Sequence, residues 1–391
     1  MKNTIILVLI ILCSAIAFTC FSGCIESSFA KTETVLIKLD RSGSPQWISV
    51  FENSGYARAR SLAPGTLQGI QTSDGFFLAG FFTNTTGAGY IRILKTDTSG
   101  KLIHETMLPA RGDQILLITW HEDTGYLVIT RLGQVYAFSP QGDFRNTWDI
   151  SNQINQHSAR QPAAPEALPV TLVSVTRSGT GDFTALVQNH AEIYHPLQVI
   201  RFSANGTVLE TTIPEQAEIS QATSVFPVRD RGFILGKSVY RDEPGGGKQV
   251  MLERTDASGV KIWNTTLGVC NYVFCTNDLV GLSESEAGGF EIVFQSHEQS
   301  NSSSSPPVTT IHARLDNEGQ VVGQEIVSDV SALPSWVFRT GSSSDFRDII
   351  NERALEELTS GMTPGKSGIQ SVSVLGTSDG GYALIATRYD E

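Results

Sequence analysis

The chain has 391 residues, with 40 acidic against 28 basic side chains and a formal net charge of −12. At 40% hydrophobic and 17% charged it is too apolar for a disordered chain, and its five cysteines are too few for a disulfide-stapled miniprotein. No basic stripe is present to displace counterions from phosphates, which excludes a nucleic-acid binder.

In chain order, the first feature is an uncharged apolar run from Thr4 to Phe21, with Lys2 the only charge before Glu26. At about 1.5 Å per residue it reaches roughly 27 Å, close to a hydrocarbon core, and exceeds the ~7–15 residues usual for the apolar region of a cleaved signal. It ends in Phe21-Ser22-Gly23-Cys24, which resembles a lipobox. Residues 1–24 are therefore expected to be a signal peptide or membrane anchor, with lipidation at Cys24. Residues 25–32 form a short linker, and 33–391 a single domain at the cell surface, outside the cytoplasm. Four sequons, at Asn84, Asn205, Asn264 and Asn301, are glycosylation candidates there.

From residue 33 onward two signatures alternate, six copies of each. One is a strand ending in Asp-x-x-Gly or a Ser-led relative: Asp40–Gly43, Asp97–Gly100, Ser139–Gly142, Ser203–Gly206, Asp256–Gly259 and Asp316–Gly319. The other is a Gly-containing turn followed by an aromatic strand, as in Asp74-Gly75-Phe76, Gly125-Tyr126, Asp182-Phe183, Gly232-Phe233, Gly289-Phe290 and Gly381-Tyr382. Asp or Ser bonds backbone two residues on and Gly takes positive φ, so each signature marks a tight turn.

Each pair of turns defines a four-stranded antiparallel unit A-B-C-D. The chain opens with C and D alone and closes with A and B alone. The expected fold is therefore all-β, a six-bladed β-propeller whose first blade is shared by both ends, a closure that removes exposed sheet edges. The blades fall near 33–51 plus 369–389, then 66–108, 113–150, 168–213, 220–267 and 277–327, with seven blades as the alternative if 328–367 holds another. The pattern resembles exported archaeal and bacterial β-propeller repeat proteins that read "DGGYxLxG … LxKLDxxGxxxW". That resemblance implies fold and export, and it implies no assigned chemistry. Trp47 and Trp263, four residues after their turn glycines, are expected to pack between blades.

By strand parity all twelve tight turns lie on one side, and the long connections lie on the other. Those after B strands are 84–89, 189–196, 241–249 and 296–307. Those after D strands are 52–64, 151–169, 268–277 and 328–367. Insertions in repeat proteins gather on the binding face, so this long-loop face is the expected site. Its candidate binding residues are His190, Tyr194 and His195 in one loop, Arg241, Asp242 and Glu243 in another, and Trp336, Phe338 and Arg339 before an inserted helix near 344–360. That helix is framed by a Ser N-cap, an apolar stripe over 345–358, then Gly361 and Pro364. Cys270 and Cys275 stand in one loop as a disulfide candidate.

No G-x-S-x-G, H-E-x-x-H, P-loop or calcium-loop pattern occurs, so no catalytic residue, metal site or cofactor is expected. The sequence reads as a membrane-tethered binding or scaffolding module taking a protein or glycan ligand. The alternative is a carbohydrate-active enzyme, of glycoside hydrolase or lyase type, using loop-face carboxylates.

Overall fold

The computed structural model describes residues 31–52, 67–83, 89–110, 114–158, 171–178, 181–188, 197–214, 222–240, 247–268, 275–298, 308–328, 333, 337, 356, 358–359 and 367–390. The described residues start with the hairpin β1 (Lys31–Leu39) and β2 (Pro45–Glu52). Blade 2 is β3 (Leu67–Thr72), β4 (Gly75–Thr83), β5 (Gly89–Thr96) and β6 (Leu102–Pro109). Blade 3 is β7 (Ile115–His121), β8 (Gly125–Thr130), β9 (Gln134–Phe138) and β10 (Phe144–Asp149), followed by helix α1 (Ile150–Ser158). Blade 4 is β11 (Thr171–Arg177), β12 (Phe183–Gln188), β13 (Leu197–Phe202) and β14 (Val208–Thr212). Blade 5 is β15 (Ser224–Pro227), β16 (Phe233–Tyr240), β17 (Lys248–Thr255) and β18 (Lys261–Leu267). Blade 6 is β19 (Cys275–Glu284), β20 (Phe290–Glu298), β21 (Val308–Leu315) and β22 (Val321–Val327). Last come β23 (Ser367–Gly376) and β24 (Tyr382–Asp390).

The two ends complete blade 1. Its order is β2-β1-β24-β23, and β1 pairs antiparallel with β24 from Lys31↔Asp390 to Leu39↔Tyr382. Blades 5 and 6 are further joined by one parallel bridge, Lys248↔Thr276.

Six hydrophobic clusters occupy the seams between consecutive blades. Leu36, Phe76 and Leu78 join blades 1 and 2; Phe77, Ile93 and Tyr126 join blades 2 and 3. Later clusters join 3 to 4, 4 to 5 and 5 to 6, and Val35 and Leu384 meet Val280 and Val293 to join blade 6 back to blade 1. A β-propeller therefore closes on itself. The seams also explain the strand sequences. Interior strands are covered on both faces and read as continuous apolar runs, as in β8 (GYLVIT), buried throughout. Outer strands are covered on one face and alternate, as in β6.

Trp47 packs edge-on to Phe76 with ring centroids 5.6 Å apart, and a Cβ on Gly100 would overlap its indole. Trp263 does the same with Phe290 at 5.7 Å and with Gly319, and its Nε1–H donates to the Asn317 carbonyl at 2.9 Å. Both tryptophans are inter-blade packing residues, as expected. His104 over Gly142, Trp148 over Gly206 and Thr212 over Gly259 repeat the arrangement without the motif tryptophan.

Helix α1 occupies the first part of the long connection expected over 151–169, and 159–169 lie outside the described residues. Asp149 caps the helix, accepting the Ser151 N–H at 3.0 Å, while Ile150 and Ile154 are buried in the seam of blades 3 and 4. In 328–367, no strand precedes β23 among the described residues, and Leu333, Val337 and Leu358 are buried in the seam of blades 6 and 1. Glu356, Leu358 and Thr359 are helical; the rest of the expected 344–360 helix lies outside the described residues.

Candidate functional site

The first strand of each blade lies innermost, and side chains tie these strands together around the ring. Ser373 Oγ donates to the Leu67 carbonyl at 2.9 Å, Gln68 Nε2 to Ile115 at 3.1 Å, and Thr176 Oγ1 to Val225 at 2.8 Å. Where these strands run into their tight A-to-B turns, they surround a cavity of about 1390 Å³. Every blade contributes, for example Leu375, Thr72, Trp120, Thr176, Phe226 and Ser283 from blades 1 to 6. The cavity extends into the cleft between blades 4 and 5, where it is lined by Thr212 and Ala257. It opens at the tight-turn end, opposite the expected long-loop face.

Its charged lining is distinctive. Arg201 is held by Asp182 at 3.3 Å and Glu210 at 3.1 Å, so both carboxylates are committed to one guanidinium. Glu284 accepts the Arg229 backbone N–H at 2.9 Å and stands 3.8 Å from Arg229 Nε. Arg177 donates to the Trp120 carbonyl at 2.6 Å, bridging blades 4 and 3. Arg231 completes the set.

Arg201 also belongs to a device repeated in other blades, which binds the two turn signatures to each other. In four blades a basic residue two before the Asp- or Ser-led C-to-D turn reaches the aspartate of the same blade's A-to-B turn. Lys38 meets Asp379 at 3.0 Å, Lys95 meets Asp74 at 2.7 Å and Arg254 meets Asp230 at 2.7 Å. Lys38 and Lys95 are almost wholly buried, with 4% and 1% exposure. Lys95 gains two further acceptors, Tyr126 Oη at 2.9 Å and Thr72 Oγ1 at 3.3 Å. The Thr377 hydroxyl, and then Lys38 and the Gly381 N–H, outweigh desolvation and hold the Asp379 carboxyl down to about 2. Burial pushes Asp74 up, but its bonds from Lys95 and Thr72 outweigh this and leave it lowered. Asp40, Asp97 and Asp256 are lowered first by the hydroxyls of Ser42, Ser99 and Ser258 inside their own turns.

The loop-face candidates His190, Tyr194, His195, Arg241, Asp242, Glu243, Trp336, Phe338 and Arg339 lie outside the described residues, as do Cys24, Cys270, Asn84 and Asn301. Cys275 is disulfide-bonded and buried at the start of β19. Asn205 is exposed in its turn, where its Oδ1 accepts the Thr207 N–H at 3.2 Å; Asn264 is exposed on β18, a strand rather than a turn. Among the described residues no group of three or more His, Cys, Asp or Glu could hold a metal ion, and no helix is long and apolar enough to cross a membrane.

No family model and no curated protein matches the chain. Among solved structures, BamB from Moraxella catarrhalis is similar at 12% identity over 90% of this chain and 78% of its own, with a TM-score of 0.37. Synechocystis apocarotenoid oxygenase is similar at 11% identity over 78% of this chain and 68% of its own, with a TM-score of 0.38. A subtype N10 neuraminidase-like protein from a little yellow-shouldered bat isolate shows 8% identity over 83% of this chain and 93% of its own, at 0.37. At these TM-scores the likeness carries no weight of its own; the propeller assignment rests on the chain's own sheet order and its six seams.

Proposed function

We propose that this chain is an extracytoplasmic, membrane-tethered propeller that acts as a binding module, with the tight-turn cavity as its ligand site. The observation that carries the reading is that cavity, to which all six blades contribute and which has an apolar wall and convergent charged groups, the usual character of a ligand pocket. The apolar 4–21 run and the lipobox-like Phe21–Cys24 support tethering, and the disulfide at Cys275 fits an oxidising compartment, with Cys270 as the proposed partner. The carbohydrate-active alternative gains nothing from this cavity, because Asp182 and Glu210 share Arg201.

The test is a glycan and protein-ligand array with the full-length protein and a Ser283→Trp variant, which fills the cavity from blade 6. Loss of binding in the variant supports the cavity. A ligand that tolerates the indole but is lost on shortening the 241–246 loop moves the site to the long-loop face. Mass spectrometry of the mature N-terminus tests the tether: a lipid on Cys24 or an intact Met1 supports it, and a free start near residues 25–30 removes it.

A further inference from the structure

Four A-to-B turns share one hydrogen-bond pattern, in which the N–H of the fourth residue closes on the carbonyl of the first. The closing residue is Gly181, Gly288 or Gly380 in three of them, with φ of 91°, 93° and 79°. In the fourth it is Arg231, at φ 70°, the one non-glycine with left-handed φ among the described residues. A side chain there costs on the order of 1 kcal/mol. The sister turns show that glycine serves the fold equally well, so the turn gains nothing from the arginine.

The Arg231 side chain lines the cavity and has no hydrogen-bonding or charged partner among the described residues. Arg177 and Arg229 line the same cavity. The lining holds four guanidiniums, Arg177, Arg201, Arg229 and Arg231, against three carboxylates, Asp182, Glu210 and Glu284, two of which share Arg201, for a net charge of +1. That is a local excess of positive charge on a chain whose net charge is −12. Trp120, Phe226 and Val228 add an apolar wall.

We propose that Arg231, with Arg177 and Arg229, forms a carboxylate-binding site for a small organic acid carrying an apolar body. The proposal rests on reading this cavity as the ligand site and names the ligand's chemical class. A planar guanidinium fork matches a planar carboxylate with two parallel N–H···O bonds. Phosphate sites commonly recruit a nest of backbone N–H groups. Here the N–H groups of Val228 and Arg231 are used within the turn, by the carbonyls of Gly232 and Val228.

The experiment uses phenylacetate, phenylacetamide and inorganic phosphate as probes of the full-length protein, with affinities measured by ligand-observed NMR. Phenylacetate is expected to bind about tenfold or more tightly than its amide, the loss expected for a charge-assisted pair. Arg231→Gly weakens phenylacetate about tenfold while its unfolding midpoint stays at or above wild type, because glycine takes this φ without strain. Arg231→Lys recovers only part of the affinity, and Arg145→Gln, on the outer strand β10, changes nothing. Equal binding of acid and amide, phosphate binding as tightly as phenylacetate, or unchanged affinity in Arg231→Gly overturns the proposal. If phenylacetate fails at millimolar concentration while a neutral array ligand is blocked by Ser283→Trp, the carboxylate assignment falls and the cavity reading stands.

Discussion

At residue scale, the buried lysines explain the "LxKLD" part of the repeat. Lys38 bonds the Leu39 carbonyl at 2.8 Å and Asp379 at 3.0 Å, linking the turn at one end of the chain to the turn at the other. Asp379→Asn leaves a buried ammonium without its counter-charge, and urea titration should show a loss of about 2 kcal/mol. The sign with pH follows from the carboxyl's depressed value of about 2, against an ordinary 3.8. The stabilisation is complete above the unfolded value and disappears as pH falls from about 4 through 2. The thermal midpoint should therefore drop over that window, and Asp379→Asn should flatten the drop. The sequence displayed Lys38 and Lys95 as repeat positions, but not their partners, which are 341 and 21 residues away. Arg231 was legible in principle, as Asp230-Arg231-Gly232 aligned with Asp379-Gly380-Gly381. Its meaning needed the φ angle and the cavity.

At element scale, the two turn signatures place the twelve A-to-B and C-to-D hairpins, because Asp or Ser with Gly is a local chemical requirement. The six Asp-x-x-Gly-type glycines all adopt φ between 77° and 95°. Trp263→Ala should cost about 2–3 kcal/mol in denaturant unfolding, since it empties the seat over the Gly319 turn and the edge contact with Phe290. Helix α1 has no clear signature in the sequence because its apolar residues are only Ile150 and Ile154, too few for a clear period amid Ser, Asn and Gln. Ile154 is 1% exposed, so Ile154→Ala should cost about 2–4 kcal/mol, checked by the shift in unfolding midpoint. The cavity had no local signature at all. It is assembled from the ends of the six inner strands and the turns that follow them, with Arg201 and Thr212 from other strands of blade 4, and loop length pointed to the opposite end of the ring.

At the scale of the whole molecule, the shared first blade was legible because the order of turns is complementary at the two ends, C and D against A and B. The six seams then make every blade depend on two neighbours. A circular permutant that joins residue 390 to residue 31 through a short linker and opens at 159–170 should keep the cavity and unfold in one transition, read by calorimetry. Deleting β24 removes the partner of β1 and exposes Leu36 and Ile37, buried in two different seams, so that variant should lose cooperative unfolding.

The closure also has a consequence in time. Lys38 and Asp379 are 341 positions apart, and at about 5–20 residues per second synthesis separates their emergence by roughly 20–70 s. Through that interval β1 is an unsatisfied apolar strand with no native neighbour on its inner side. A nascent chain of this design stays vulnerable to proteases and to pairing with its siblings until its last segment arrives, so a holdase that shields residues 31–39 should raise its yield more than one acting on any later strand.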